Sequence, residues 1–176
     1  KSPAGIEDIV VDTTTGYAYL SSHNRRHFEE RGAIFLLKLN DSTQRFIPLT
    51  NHWAKKDFRP HGISLLSEND STTYLFVISH GEKHTVERFR LSGDSLIHEQ
   101  SFTSELFVSP NDIHAIAKEK FYITNDHTVE KGILRTLTDF VKYPSGNVVY
   151  FDGQMAKAVT SGIAYANGIN SWADKK

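Results

Sequence analysis

Apolar and polar residues alternate along most of this chain, in short runs rich in β-branched and aromatic types. Clusters of Gly, Ser and Asn-Asp break the runs. A period of two puts one face of each run into a core, so the pattern predicts strands. The runs come in pairs joined by turn residues. "IEDIVVD" and "YAYLSS" flank "TTTG", "AIFLLKL" and "RFIPL" are joined through "NDST", and "HGISLLS" and "TYLFVISH" flank "ENDST". "TVERFRL" and "LIHEQSF" flank "SGDS", "DIHAIA" and "FYITND" flank "KEK", and "NVVYF" and "AKAVTSG" flank "DGQM". The prediction is six successive hairpins. One stretch departs from it: Thr128–Pro144 places Ile133, Leu134, Leu137, Phe140 and Val141 at helical spacing and ends on proline, which predicts a surface helix near 128–143.

A repeat runs through the hairpins. Glu7-Asp8-Ile9, His61-Gly62-Ile63, Asn111-Asp112-Ile113 and Asn167-Gly168-Ile169 share a polar residue, a small or acidic residue, then Ile, at spacings of 54, 50 and 56 residues. Each marks the start of a two-hairpin unit. Four strands per unit of roughly 50 residues is the β-propeller pattern, so the fold class is all-β with four-stranded blades. First strands of blades line the central channel, and the repeat therefore predicts that Glu7, His61, Asn111 and Asn167 face one another. Three units and the opening of a fourth, with starts near 7, 61, 111 and 167, are too few to close a ring that typically needs 4–8 blades. The expectation is a partial propeller domain over 1–176, the N-terminal half of a larger ring.

Composition narrows the function. A chain of 176 residues can bury a core, and its net charge of −1 without a basic block argues against nucleic acid or an anionic membrane surface as partner. No apolar run approaches the ~18 residues of a membrane helix. The chain opens at Lys1 with no signal-like segment, which reads as a processed chain or a piece of a longer one. With no cysteine, disulfides and thiolate zinc sites are excluded within these residues. Two "NDS" triplets, Asn40–Ser42 and Asn69–Ser71, read as Asx-type turns.

The repeat positions carry the candidate chemistry. Glu7, Asn111 and Asn167 offer one carboxylate and two amide oxygens, with Asp8 and Asp112 beside two of them. Hard oxygens without thiolates suit calcium. Asx turns explain most single Asn-Asp pairs in loops, but recurrence at the blade period favours a metal. His61 in "RPHGIS" holds a repeat position, and His80 in "FVISHGEK" ends the outgoing strand of the same hairpin. Two imidazoles beside a cation are suited to activating water, one as general base and the other as relay. His127 in "TNDH" is a weaker candidate. His23, His27, His52, His84, His98 and His114 read as surface or packing residues, and Asn125-Asp126 as turn chemistry. There is no nucleophile elbow, Walker loop, H-E-x-x-H or dinucleotide fingerprint.

"GIEDIVV", "FRPHGISLL", "YLFVISHGEKHTVERFRL", "SPNDIHAIAKEKFYITNDH" and "YANGIN", in this order, resemble the serum paraoxonase/arylesterase family almost from end to end of the chain. The resemblance implies a six-bladed, calcium-dependent propeller that hydrolyses lactones and aryl esters and is secreted or extracytoplasmic. It implies Glu7, Asn111 and Asn167 as ligands of a catalytic calcium. Asp8, the Ile63 carbonyl and Asp112 would be ligands of a structural calcium, and His61 and His80 the water-activating pair. The family completes its catalytic shell with an Asp-Asn pair from a later blade, outside these 176 residues. Its apolar N-terminal helix for lipoprotein attachment has no counterpart here, so membrane or lipoprotein binding is not expected of this stretch. The implied partners are a small lactone or ester substrate and the C-terminal half of the propeller. Two other functions compete: a non-catalytic, calcium-stabilised scaffold, and a propeller with sugar-lactone hydrolysis or strictosidine-synthase-like condensation.

Overall fold

The computed structural model describes residues 3–69, 71–127 and 144–171. Twelve strands form in the predicted places: β1 (Ile6–Asp12), β2 (Tyr17–Ser22), β3 (Ala33–Lys38), β4 (Phe46–Pro48), β5 (Pro60–Asn69), β6 (Thr72–His80), β7 (His84–Ser92), β8 (Ser95–Phe102), β9 (Pro110–Ala117), β10 (Lys120–Asn125), β11 (Gly146–Phe151) and β12 (Ala156–Ile163). They make three four-stranded antiparallel meanders, β1-β2-β3-β4, β5-β6-β7-β8 and β9-β10-β11-β12. That is the architecture of propeller blades, three of them, in sheets that do not close. The predicted helix near 128–143 lies outside the described residues. Residues 166–171, Asn167-Gly168-Ile169 among them, belong to none of these strands.

The chain divides into two compact units, Lys1–Phe102 and Thr103–Lys176. In the first, the inward faces of two blades share a core of Tyr19, Ile34, Leu36, Phe58, Ile63, Leu75, Val77, Phe89 and Leu96. Trp53 closes it, edge-on to Phe58 and Phe89 at ring-centroid distances of 5.0 Å each. In β6, "YLFVI" is buried throughout, so both faces of this strand are covered. In the second unit Ile113, Phe121, Ile123, Val149 and Phe151 are buried, with Phe121 stacked on Phe151 at 5.1 Å. Each such side chain contributes about 1.5–3 kcal/mol by leaving water.

One charge lies inside the first core. Glu87 on β7 is fully buried. Oε1 accepts from Lys55 Nζ and Thr85 Oγ1, both at 2.6 Å, and Oε2 is held by His98 Nε2 at 2.8 Å and by the Ser101 hydroxyl. Burial alone would raise its pKa, but these hydrogen bonds outweigh it and hold the carboxyl down to about 2. His98, stacked on Trp53 at 4.5 Å, is thus a packing residue, as its sequence position implies.

Candidate functional site

Antiparallel pairing breaks register at three of the repeat positions. Ile6 pairs with Ser22 and Asp8 with Ser21, so Glu7 is an extra residue in β1. In β5, Pro60 pairs with Ser79 and Ile63 with Val77, leaving His61 and Gly62 opposite one residue. In β9, Pro110 pairs with Asn125 and Ile113 with Ile123, leaving Asn111 and Asp112 opposite Thr124. A bulge bends the strand and re-aims one side chain, and so lets a polar residue leave the alternation of a half-buried strand. Gly5 leads into the first bulge at φ 65, its amide plane bonded through the carbonyl to His23 N at 3.0 Å; a side chain there would meet the His23 carbonyl.

The aspartates of two bulges make the same set of bonds. Asp8 Oδ1 accepts from Ile9 N at 2.7 Å, and Oδ2 from Ile63 N, at the next blade start, at 2.8 Å. Asp112 Oδ1 accepts from Ile113 N and Oδ2 from Ile169 N, both at 2.8 Å. The Asp8 amide donates to Ser21 Oγ, and the Asp112 amide to Thr124 Oγ1, each at 3.0 Å. The aspartate of one repeat thus latches the isoleucine of the next, across 55 residues in the first unit and 57 in the second.

Glu7, His61 and His80 come together in the first unit. Arg25 forks onto Glu7, Nε to Oε1 and NH2 to Oε2, each at 2.7 Å. The guanidinium also lies 3.1 Å from His61 Nδ1. Arginine can only donate, so this Nδ1 is an acceptor and the His61 proton is on Nε2. The His61 and His80 rings meet edge-on at 5.1 Å. Behind them, His80 Nδ1 is 2.9 Å from His84 Nδ1, a bond that needs one neutral donor and one acceptor. Burial first, then the neighbouring His61 and His84, push the His80 pKa down to about 3, so the ring is neutral at ordinary pH. Its backbone is fixed too: His80 N donates to Arg59 O at 2.9 Å, and the Asp57 carboxylate holds Glu82 N at 3.0 Å in the following turn.

His84, read from the sequence as a surface or packing residue, is half-buried and packs edge-on against His80, its hydrogen-bond partner. The signal was present in "HGEKH", since a three-residue turn puts its two flanking histidines opposite each other. His127, in the second unit, is buried against Ser145 and Tyr165. Asn125 does more than turn chemistry. Fully buried, it accepts from Ser109 N and donates to Leu106 O and to Asn147 Oδ1, bracing the 103–109 loop.

Among the described residues no three His, Asp or Glu side chains cluster as a metal site. The predicted ligands mix carboxylates with amide oxygens, and they divide into Glu7, Asp8 and Ile63 in the first unit and Asn111, Asp112 and Asn167 in the second. Their chemistry fits calcium. All are hard oxygens. Carboxylate oxygens, amide oxygens and backbone carbonyls are the donors that calcium takes. Glu7 already sits with a cation, the Arg25 guanidinium, whose side chain is 62% exposed.

The family model "Arylesterase" matches residues 7–176. "Serum paraoxonase/arylesterase 2" of Bos taurus is 39% identical over 153 residues, covering 84% of this chain and 43% of that protein. The Gallus gallus protein of the same name is 36% identical over 183 residues, 98% of this chain and 51% of the relative. "Serum paraoxonase/lactonase 3" of Homo sapiens is 33% identical over 184 residues, with 98% and 52% covered. The chain spans about half the length of the curated relatives it matches.

Proposed function

The chain belongs to the arylesterase family, and from that premise we propose that the protein is a calcium-dependent hydrolase of lactones and aryl esters. The relatives named for arylesterase and lactonase activity support the hydrolase. The His61–His80 contact beside Glu7 is the observation that carries the chemistry. Glu7, Asn111 and Asn167 would be the ligands of a catalytic calcium, and Asp8, the Ile63 carbonyl and Asp112 those of a structural one. A bound calcium would polarise the ester carbonyl and stabilise the oxyanion.

The chain's own residues handle the proton. His61 Nδ1 is the basic atom of its ring, and it faces Glu7 across 3.4 Å. The exposed Arg25 is the group that water and substrate would displace from it. His61 takes the proton of the attacking water as the carbonyl is attacked, and returns it to the departing alkoxide or phenoxide. His80, neutral and held by His84, orients His61 and leaves its lone pair available. A scaffold would have no use for such a chain of imidazoles, which favours the enzyme over the non-catalytic alternative. Sugar-lactone hydrolysis would use the same groups and differ in the substrate.

A lactone and aryl-ester panel assayed with the full protein tests the reading. Hydrolysis should be lost in a calcium chelator and restored by added calcium; activity untouched by chelator would sink the calcium mechanism. His61→Gln should lower turnover at least tenfold with calcium still bound, and loss of the metal instead would make His61 a structural residue.

A further inference from the structure

Thr124 is buried in β10, opposite the Asn111-Asp112 bulge. Its hydroxyl accepts from the Asp112 amide at 3.0 Å. The single hydroxyl proton has two acceptors in range: Asn167 O at 2.6 Å and Asp112 O at 3.5 Å. The short contact takes it, because hydrogen bonds weaken steeply with distance. One hydroxyl therefore joins two segments 55 residues apart, and these carry Asp112 and Asn167. The Asp112 Oδ2 bond to Ile169 N closes the same ring from the other side.

We propose that Thr124 is a positioning residue for calcium, setting a ligand of each ion, Asp112 and Asn167, through one buried hydroxyl. This rests on the calcium reading given above. The Thr124 hydroxyl fixes the Asn167 backbone through its carbonyl, and so sets the position from which the side-chain amide would be presented to the metal. Residues 166–171 have no strand ladder to hold them, and without the hydroxyl Asn167 depends on the Asp112–Ile169 bond and on buried Ala166. Ser21, the counterpart of Thr124 in the first unit, accepts from the Asp8 amide, but among the described residues its own proton is recorded against Asp8 O alone, at 3.5 Å. The bridging role thus belongs to the second unit. Outer partners that orient ligands in this way are worth roughly 10–100-fold in metal affinity.

The test uses the full protein as wild type, Thr124→Val and Thr124→Ser. Calcium affinity is measured by chelator competition at a temperature where urea titration in chelator shows each variant folded. Thr124→Val should lose about tenfold or more in affinity, and Thr124→Ser, which keeps the hydroxyl, should stay within about threefold of wild type. Terbium luminescence gives a second readout, independent of turnover. Thr124→Val binding calcium as wild type does, or losing stability with affinity unchanged, overturns the proposal. If Thr124→Val does not fold, Thr124→Ser decides together with Thr124→Ala: equal affinities in those two overturn it, and a gap of tenfold supports it. A wild-type protein that binds no calcium overturns the calcium reading and this proposal together, a pattern distinct from failure of the variants alone.

Discussion

The Asp8 latch and the Asp112 latch share donors, acceptors and distances, yet they hold different things. Asp8 fastens Ile63, which is already paired in β5 and buried in the first unit's core. Asp112 fastens Ile169, half-buried and outside any strand. The first unit's bulges carry the titratable Glu7 and His61, with His80 against His61; around Asp112 stand amides and a hydroxyl, Asn111, Asn167 and Thr124. One bulged β-strand design therefore serves two ends. In the first unit it carries titratable side chains, and in the second it carries amides beside the Asp112 carboxylate. What a repeat preserves is backbone geometry, and the side chains placed on it decide the chemistry.

The sharpest way to separate the latches is to remove each carboxylate in chelator. Asp8→Ala leaves the amide of the buried Ile63 without its acceptor and should cost about 2–3 kcal/mol in urea unfolding. Asp112→Ala frees an amide that water can reach, and should cost about 1 kcal/mol while greatly speeding hydrogen exchange at Ile169. An Asp112→Ala loss as large as that of Asp8→Ala would break the comparison.

Acid comes next. His80 is held neutral, with its folded pKa far below the unfolded value near 6.5, so the unfolded chain binds the extra proton between pH 6.5 and about 3. Its contribution is complete above pH 6.5 and is lost as pH falls. Glu87, depressed to about 2 from 4.5, adds a loss only below pH 4.5. Between pH 6.5 and 4.5 the first unit should thus lose on the order of 2 kcal/mol, a slope that His80→Gln flattens. Among the described residues of the second unit, His114 is lowered in the same direction, by burial. Hydrogen exchange resolved by segment would show whether protection falls faster in residues 6–102; equal loss in both units would contradict the contrast.

The smallest effect concerns His84. His84→Phe removes the Nδ1 partner of His80 and should cost about 1 kcal/mol. It should also move the acid limb of the pH–rate profile, whereas the second unit's exchange stays as it was. An unchanged profile would reduce His84 to packing.

Period-two alternation with turn residues between the runs was enough to place all twelve strands, because strand formation depends mainly on local pattern and turn chemistry. The repeat likewise made Glu7, Asp8, His61, Asn111 and Asp112 legible as special positions. Their bulges were not legible, since an extra residue is defined only against the partner strand. The bonds of Asn125 and His84 are hidden for a related reason: each looks like a loop or surface residue until the chain opposite supplies its partners.

By itself the sequence determined the strands, the meander order and the recurrence of polar residues at blade starts, all of which rest on local periodicity. Tertiary structure alone decided that Asp8 reaches Ile63, that Asp112 reaches Ile169, that Thr124 spans to Asn167 and that His84 backs His80. Those bonds join residues far apart in the chain or across a turn. A hydrogen bond demands its partner within about 3 Å, a condition that only the folded chain can meet.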